Sequence, residues 1–465
     1  MKLVQNSTLL IAIFLGSFIS FAQNFEGSWT GAVQGLPLVF EISQSDGVYT
    51  AKMQSPKQSK TFLPVSEITV DGDQINMSLA SFKIKYTGKI EGEKINGTFS
   101  QGTFSTPMLL EKKAYVEEKL NRPQEPKPPF PYQVEEVVFK NPKAGEINLA
   151  GTLTLPNNIK NPPVAILISG SGPQDRNEEL LGHKPFLVIA HHLTQNGVAV
   201  LRYDDRGVAQ SEGTQKGATS ADFATDVEAA ISYLKSRNDV DQNKIGLIGH
   251  SEGGLIAPIV IANKENDVAF FISLAGPGVR GDKVLLPQLR KSAELAGANP
   301  ADLDFEMKMM QQLFDKIVAS EKLTTAEMNE ELKKNLNSIA EEAPTNLKAK
   351  YTDSFANTLS SQFSNEWMRY FLRYDPKNNL SKVTCPVLAI NGSLDYQVIP
   401  EINLDGMKSA FAKAKNKDVT IKELPGLNHL FQNATTGSAI EYETIEETFD
   451  PAALELMSSW INQRF

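Results

Sequence analysis

Apolar and polar positions change period along the 465-residue chain, and the changes mark its parts. From Gly27 to about Lys112, Leu38, Phe40 and Ile42 alternate with polar neighbours, and so do Phe82, Ile84 and Tyr86. A period of two places every second side chain on one face of a strand. Asp46-Gly47, Asp71-Gly72, Glu91-Gly92 and Asn96-Gly97 read as turns between such strands. The pattern predicts a small all-β domain over residues 23–112, an antiparallel barrel or sandwich. Residues 113–132 carry Pro123, Pro126, Pro128, Pro129 and Pro131 among charges. That composition favours extended polyproline geometry and predicts a semi-stiff linker.

Residues 133–465 follow a different rule. Two strands, Val134 to Phe139 and Ile147 to Leu155, lead into an alternation: a strand at Val164 to Ile168, a helix near Pro185 to Asn196, and a strand at Val198 to Tyr203. A helix from Ser220 places Phe223, Val227, Ala230, Ile231 and Leu234 on one face. Strands near Ile245 and at Val268 to Leu274 close the first half. Such alternation predicts an α/β domain whose parallel sheet is covered on both faces. Over about 277–378 the pattern is helical and free of strands, with one stripe at Leu303, Met307, Met310, Phe314 and Ile317 and a capping box at Thr324 and Glu327. Inserted between two sheet strands, this segment is expected to cap a pocket, its Met and aromatic stripes serving mainly as cap core. Strands Val387 to Ile390 and Val419 to Leu424 resume the sheet.

The most informative stretch is Ile-Gly-Leu-Ile-Gly-His-Ser-Glu-Gly-Gly, residues 245–254. An apolar strand ends in Gly-x-Ser-x-Gly, and the apolar segment after it reads as a buried helix. A strand, a tight turn and a helix form the geometry of a nucleophile elbow, in which a strained serine is exposed at the strand tip. With these residues the chain from about Val134 to its end, the helical insertion excepted, resembles the serine-hydrolase branch of the α/β-hydrolase superfamily. Within that branch it is similar to bacterial esterase-like proteins of the serine aminopeptidase S33 type. The resemblance implies an α/β-hydrolase fold with a helical cap, and the β-domain in front looks similar to lipocalin-like modules.

A serine hydroxyl needs a base, and histidine is the side chain suited to that near neutral pH. The chain has five: His183, His191, His192, His250 and His429. His250 adjoins Ser251 and cannot swing to its hydroxyl, and the first three fall before or within the helix preceding Val198. His429, just past the last predicted strand, stands where the superfamily holds its base. A carboxylate must fix the imidazole and stabilise its cation. Asp395, in a loop after the strand at Val387, is the expected acid, with Asp375 and Asp405 as rivals. The order Ser251, Asp395, His429 is the superfamily's order. Negative charge developing on the substrate carbonyl requires backbone donors. One is expected from the amide of Glu252; the resemblance gives the other to Ser171, in the loop after Ile168. Charges in Gln174 to Asn177 and in Arg202 to Gly207 are expected to pair with one another and hold that loop.

Composition narrows the class further. A net charge of -9 at pH 7 argues against nucleic acid as a partner. Lys2, the apolar run Leu9 to Phe21 and the small residues near Ala22 predict a signal peptide over 1–22, hence export to the periplasm or beyond without stable membrane insertion. The single cysteine, Cys385, cannot form an internal disulfide and is expected to be inert within a core strand. No cluster of side chains has metal-ligand spacing, so neither metal nor other cofactor is expected. The sequence thus predicts an exported serine hydrolase acting on small acyl esters. An amide-cleaving aminopeptidase with the same triad, and a binding protein whose hydrolase domain is vestigial, are the alternatives. Oligomeric state, acyl length and the β-domain's ligand are not legible.

Overall fold

The computed structural model of the protein describes residues 24–33, 36–56, 59, 61–102, 104–116 and 120–465. The segment 1–22, expected to direct export, lies outside the described residues. The described residues form two compact units, 24–116 and 120–465.

The first unit is a nine-stranded antiparallel sheet in which the first strand, Gly27–Val33, lies between the second, Leu36–Ser45, and the last, Phe104–Lys112. The sheet curls because the chain itself ties its ends together. Val65 N donates to Ala51 O at 2.9 Å and Ser66 N to Ser78 O at 2.7 Å. Trp29, Phe40, Met77, Tyr86 and Ile95 fill the interior, and the buried Tyr86 hydroxyl is satisfied by donating to Ile95 O at 2.9 Å. Gly47, Gly72 and Gly92 occupy turns with positive φ, as the sequence suggests. Two readings change. Phe82 is not on a strand but exposed in a 3₁₀ turn, Ala80–Phe82. Asn96-Gly97 is not a turn but lies within strand Lys94–Gln101. The glycine there serves a packing need, since a Cβ would stand 2.5 Å from both Thr87 O and the Tyr86 ring. Gly97→Ala should therefore cost roughly 1–3 kcal/mol through displacement of Tyr86, visible as a lowered midpoint in thermal unfolding followed by tyrosine near-UV dichroism.

The second unit is built on eight strands: β1 Tyr132–Asn141, β2 Ile147–Pro156, β3 Val164–Ile168, β4 Ala199–Tyr203, β5 Ile245–His250, β6 Phe270–Leu274, β7 Val387–Gly392 and β8 Val419–Leu424. Their spatial order is β1-β2-β4-β3-β5-β6-β7-β8. The β1–β2 and β2–β4 pairs are antiparallel and every other pair is parallel. Side-chain alternation feeds two cores. Ile166, Leu201 and Leu247 join the helices α2 Ser220–Lys235 and α3 Glu252–Ala262 on one face. On the other face, Leu167, Val200 and Ile248 meet α1 Pro185–Gln195 and the last helix, Pro451–Asn462. Burial on both faces is why these strands are continuously apolar.

Between β6 and β7 five helices form the cap: α4 Gly281–Leu295, α5 Pro300–Ala319, α6 Thr325–Glu341, α7 Asp353–Ser364 and α8 Glu366–Arg373. Asn299 and Thr324 cap α5 and α6, the latter in a capping box with Glu327. Met310, Phe314 and Ile317 pack against Met328, Leu332 and Phe363 to give the cap its own core, while Met307 is only partly buried. The proline-rich stretch expected as a spacer belongs, from Leu120 onward, to this unit. Arg122 donates to the carbonyls of Leu181, Ile445 and Glu443 at 3.0, 2.9 and 2.8 Å, and Gln124 Oε1 accepts from the amides of Thr448 and Phe449 at 2.6 and 2.9 Å. Polar side chains, which a proline count ignores, hold it there. Cys385 precedes β7 rather than lying in it, and burial pushes its thiol up to about 12.

Candidate active site

β5 enters the centre of the sheet and stops at His250, and α3 starts at Glu252, which leaves one residue to reverse the chain. That residue is Ser251, at φ 51° and ψ -117°, a conformation an L-residue rarely adopts. The turn closes tightly. A Cβ at position 249 would lie 2.2 Å from Gly253 O, and one at 253 would lie 2.1 Å from Ile168 O. Ser251 N donates to Leu274 O at 2.8 Å, fixing the turn to β6.

The serine opens on a cavity of about 250 Å³. The elbow, the loop after β3 and His429 line its floor, and Val284, Leu285, Trp367, Met368 and Phe371 of the cap line its roof. His429 and Asp395 are both buried, and His429 Nδ1 lies 2.8 Å from Asp395 Oδ2. The other oxygen, Oδ1, accepts from the amides of Gln397 and Val398 at 2.8 and 2.9 Å, which leaves Oδ2 directed at the imidazole. The rivals stand elsewhere: Asp375 Oδ1 accepts from Lys377 N at the start of a short helix, and Asp405 is exposed on helix Pro400–Lys413. His183 is engaged by Thr448 and Tyr442, His191 by Tyr132 and His192 by Ser458. Ser251 and His429 line the same cavity.

The loop after β3 is strongly braced. Asp205 Oδ1 accepts from Ser169 Oγ at 2.7 Å and its Oδ2 from Gln174 N at 3.1 Å. Gly170 N donates to Glu178 Oε1 at 2.6 Å, so that amide is occupied. Among the described residues no group accepts from the amides of Ser171 or Glu252, and both residues line the cavity. Arg176 and Asp204 pair at 2.7 Å as the sequence suggests, and burial of Asp204 is outweighed by that guanidinium, which holds its carboxyl below the usual range. Arg206 instead pairs with Asp226 of α2, 2.7 Å away. Arg202 reaches the amide oxygen of Asn177 rather than a carboxylate, and desolvation lowers it to about 10.

Two side chains of the cavity wall escaped the sequence. Glu178 directly follows the charged run Gln174 to Asn177, but nothing in that run points to His250, which it meets from 72 positions away. The Glu252 carboxyl, to which the sequence assigns no task, is buried and accepts from Ser220 Oγ at 2.6 Å and from Trp367 Nε1 at 2.8 Å. Burial pushes that carboxyl up, against the lowering effect of these donors.

A mixed sheet in this strand order, a strained serine between β5 and α3, and a histidine–carboxylate pair beyond β8 and β7 define an α/β-hydrolase. Residues 185–435 match the family described as serine aminopeptidase, S33, and the chain belongs to it. Esterase EstD of Thermotoga maritima is 26% identical over 283 residues, which cover 61% of this chain and 58% of EstD, so the match spans little more than half of that relative. Among solved structures, the Pyrococcus furiosus esterase PF2001 is similar at a TM-score of 0.42 and 15% identity, over 75% of this chain and 99% of that one. Est1E of Butyrivibrio proteoclasticus, bound to ferulic acid, is similar at 0.39 and 19%, over 70% and 96%.

Desolvation pushes the Asp205 carboxyl up to about 7, against hydrogen bonds from Ser169 and Gln174 that lower it. A carboxyl raised on folding stabilises the fold most when protonated, and that contribution is lost as pH rises from its unfolded value through about 7. Asp205→Asn, which cannot ionise, should therefore gain in melting temperature relative to wild type as pH is raised from 4 to 8. A difference independent of pH would show that Asp205 does not titrate in this range.

Proposed function

We propose that this protein is an exported serine hydrolase that cleaves carboxylic esters through Ser251, His429 and Asp395. The observation that carries the reading is the buried His429–Asp395 contact of 2.8 Å in the same cavity as a serine strained at φ 51°. In this mechanism His429 Nε2 takes the proton of Ser251 as Oγ attacks the ester carbonyl. Asp395 holds Nδ1–H and stabilises the imidazolium, while the amides of Ser171 and Glu252 receive the oxyanion. Collapse expels the alcohol, which leaves with the proton from His429, and the acyl group remains on Oγ. Water, deprotonated by His429, then releases the acid and restores the hydroxyl.

Ser251→Ala should lower ester turnover by at least about a thousandfold without changing the melting temperature, and covalent labelling by an organophosphonate should vanish with it. Turnover retained in that variant would remove Ser251 from its role. An apolar roof over a cavity of about 250 Å³ supports short to medium acyl groups as substrates. Across p-nitrophenyl esters kcat/KM should fall beyond medium chain lengths, and Met368→Ala, which removes most of one roof side chain, should move the optimum to longer chains. An unshifted optimum would place the acyl group elsewhere.

A second reading, hydrolysis of aminoacyl amides, is favoured by one feature: the Glu252 carboxyl in the cavity wall offers an acceptor to a free amine. Aminoacyl anilides assayed beside the esters separate the two. Export rests on residues 1–22 and is checked by locating the protein in cell fractions.

A further inference from the structure

His250 is buried in the wall of the cavity, and its two ring nitrogens face two different partners. Nδ1 lies 2.9 Å from Glu178 Oε1, and Nε2 lies 3.0 Å from the carbonyl oxygen of His429. A backbone carbonyl can only accept, so Nε2 carries a proton. Glu178 Oε1 already accepts from Gly170 N at 2.6 Å, and where that carboxyl is a carboxylate it also only accepts, which gives Nδ1 a proton as well. A ring that donates from both nitrogens is a cation, and Glu178 is its counter-ion.

We propose that His250 is an imidazolium acting as a positioning residue, one that ties the His429 loop and, through Glu178, the Gly170 loop to the nucleophile elbow. This inference rests on the reading of Ser251 and His429 as reacting groups. Three segments distant in the chain meet on this one ring. The loop after β3 is anchored by the Gly170 amide next to Ser171, the expected oxyanion donor. The base loop is anchored by the carbonyl of His429 itself, and the elbow supplies the ring. The His250 and His429 rings stand 4.9 Å apart, so a shift of either moves the base relative to Ser251. Charges facing the ring support its protonation. Burial by itself would lower the His250 pKa, but the Glu178 carboxylate, the His429 carbonyl and the more distant Asp395 outweigh it and hold it above the ordinary value. A carboxylate binds the Gly170 amide more strongly than a neutral acceptor would, which favours the ionic form of the pair.

Two measurements on the full chain test this. Nitrogen-15 spectra of histidine-labelled protein at pH 7.5 should show one imidazole with both nitrogens protonated, absent in His250→Gln and still present in Ser251→Ala. Five neutral rings would overturn the assignment whether or not the protein hydrolyses esters, so its failure is separable from failure of the catalytic reading. Glu178→Gln keeps the shape but removes the counter-ion. It should lose the doubly protonated signal and lower kcat by about tenfold to a hundredfold, as misplaced reacting groups do, with KM within about twofold. Glu178→Asp, which restores the charge, should recover part of the loss. Loss of the signal with kcat unchanged would refute the positioning role. If Glu178→Gln fails to fold, as judged by circular dichroism, His250→Gln gives the same kcat comparison.

Discussion

Ser251 holds a backbone conformation that its own side chain disfavours, and the rest of the second unit is arranged so that this conformation persists. At φ 51° the residue gains nothing locally, so contacts around it must over-determine it. They are of two kinds. Backbone from β3 and α3 comes within about 2 Å of where side chains at 249 and 253 would begin, which only glycine permits. Parallel pairing of β5 with β3 and β6 on either side then prevents the strand tip from relaxing. Strain at the serine is thus the consequence of a rigid sheet, and exposure of its hydroxyl is the consequence of the strain.

Around that fixed point the site is assembled from loops, and each loop is held by buried polar contacts. Asp205 and Glu178 brace the segment after β3, the Gln397 and Val398 amides brace Asp395, and His250 joins two of these elements. Loops at strand ends have no ladder of their own to fix them, so charge-assisted hydrogen bonds in a partly dry environment take that part. Several buried acids and bases near the cavity therefore serve geometry. Asp205 and Glu178 each accept hydrogen bonds from the loop after β3, and His250 faces the His429 carbonyl.

The cap roofs the cavity. Its helices have a core separate from the sheet, and a few side chains at its lower edge reach the cavity. Trp367 links roof and floor directly, because its indole N–H ends on the Glu252 carboxyl, next to Ser251. Cap and elbow are packed mainly on separate cores, so side chains of the cap's own core can change without disturbing the elbow.

Much of this was legible in the chain. Apolar runs bounded by turn residues marked the sheet strands, since strands buried on both faces need no alternation. Gly249, Ser251 and Gly253 marked the elbow because no other spacing allows its geometry. Ser251, Asp395 and His429 stand out as candidates because residue types after particular strands are legible and few histidines compete, and the fold brings Asp395 and His429 together. What the chain could not show are contacts between residues far apart in sequence that follow no period. Gly97 looked like a turn because the Tyr86 ring above it is a tertiary fact. The docking of residues 120–131 depends on Arg122 and Gln124 finding carbonyls and amides more than 300 positions away. Glu178 at His250, and Trp367 at Glu252, are of the same kind. Local sequence determines which element forms and what chemistry it carries, through backbone sterics and periodicity. The packed fold alone decides which buried polar groups face one another, because that depends on how the sheet and its loops close in space.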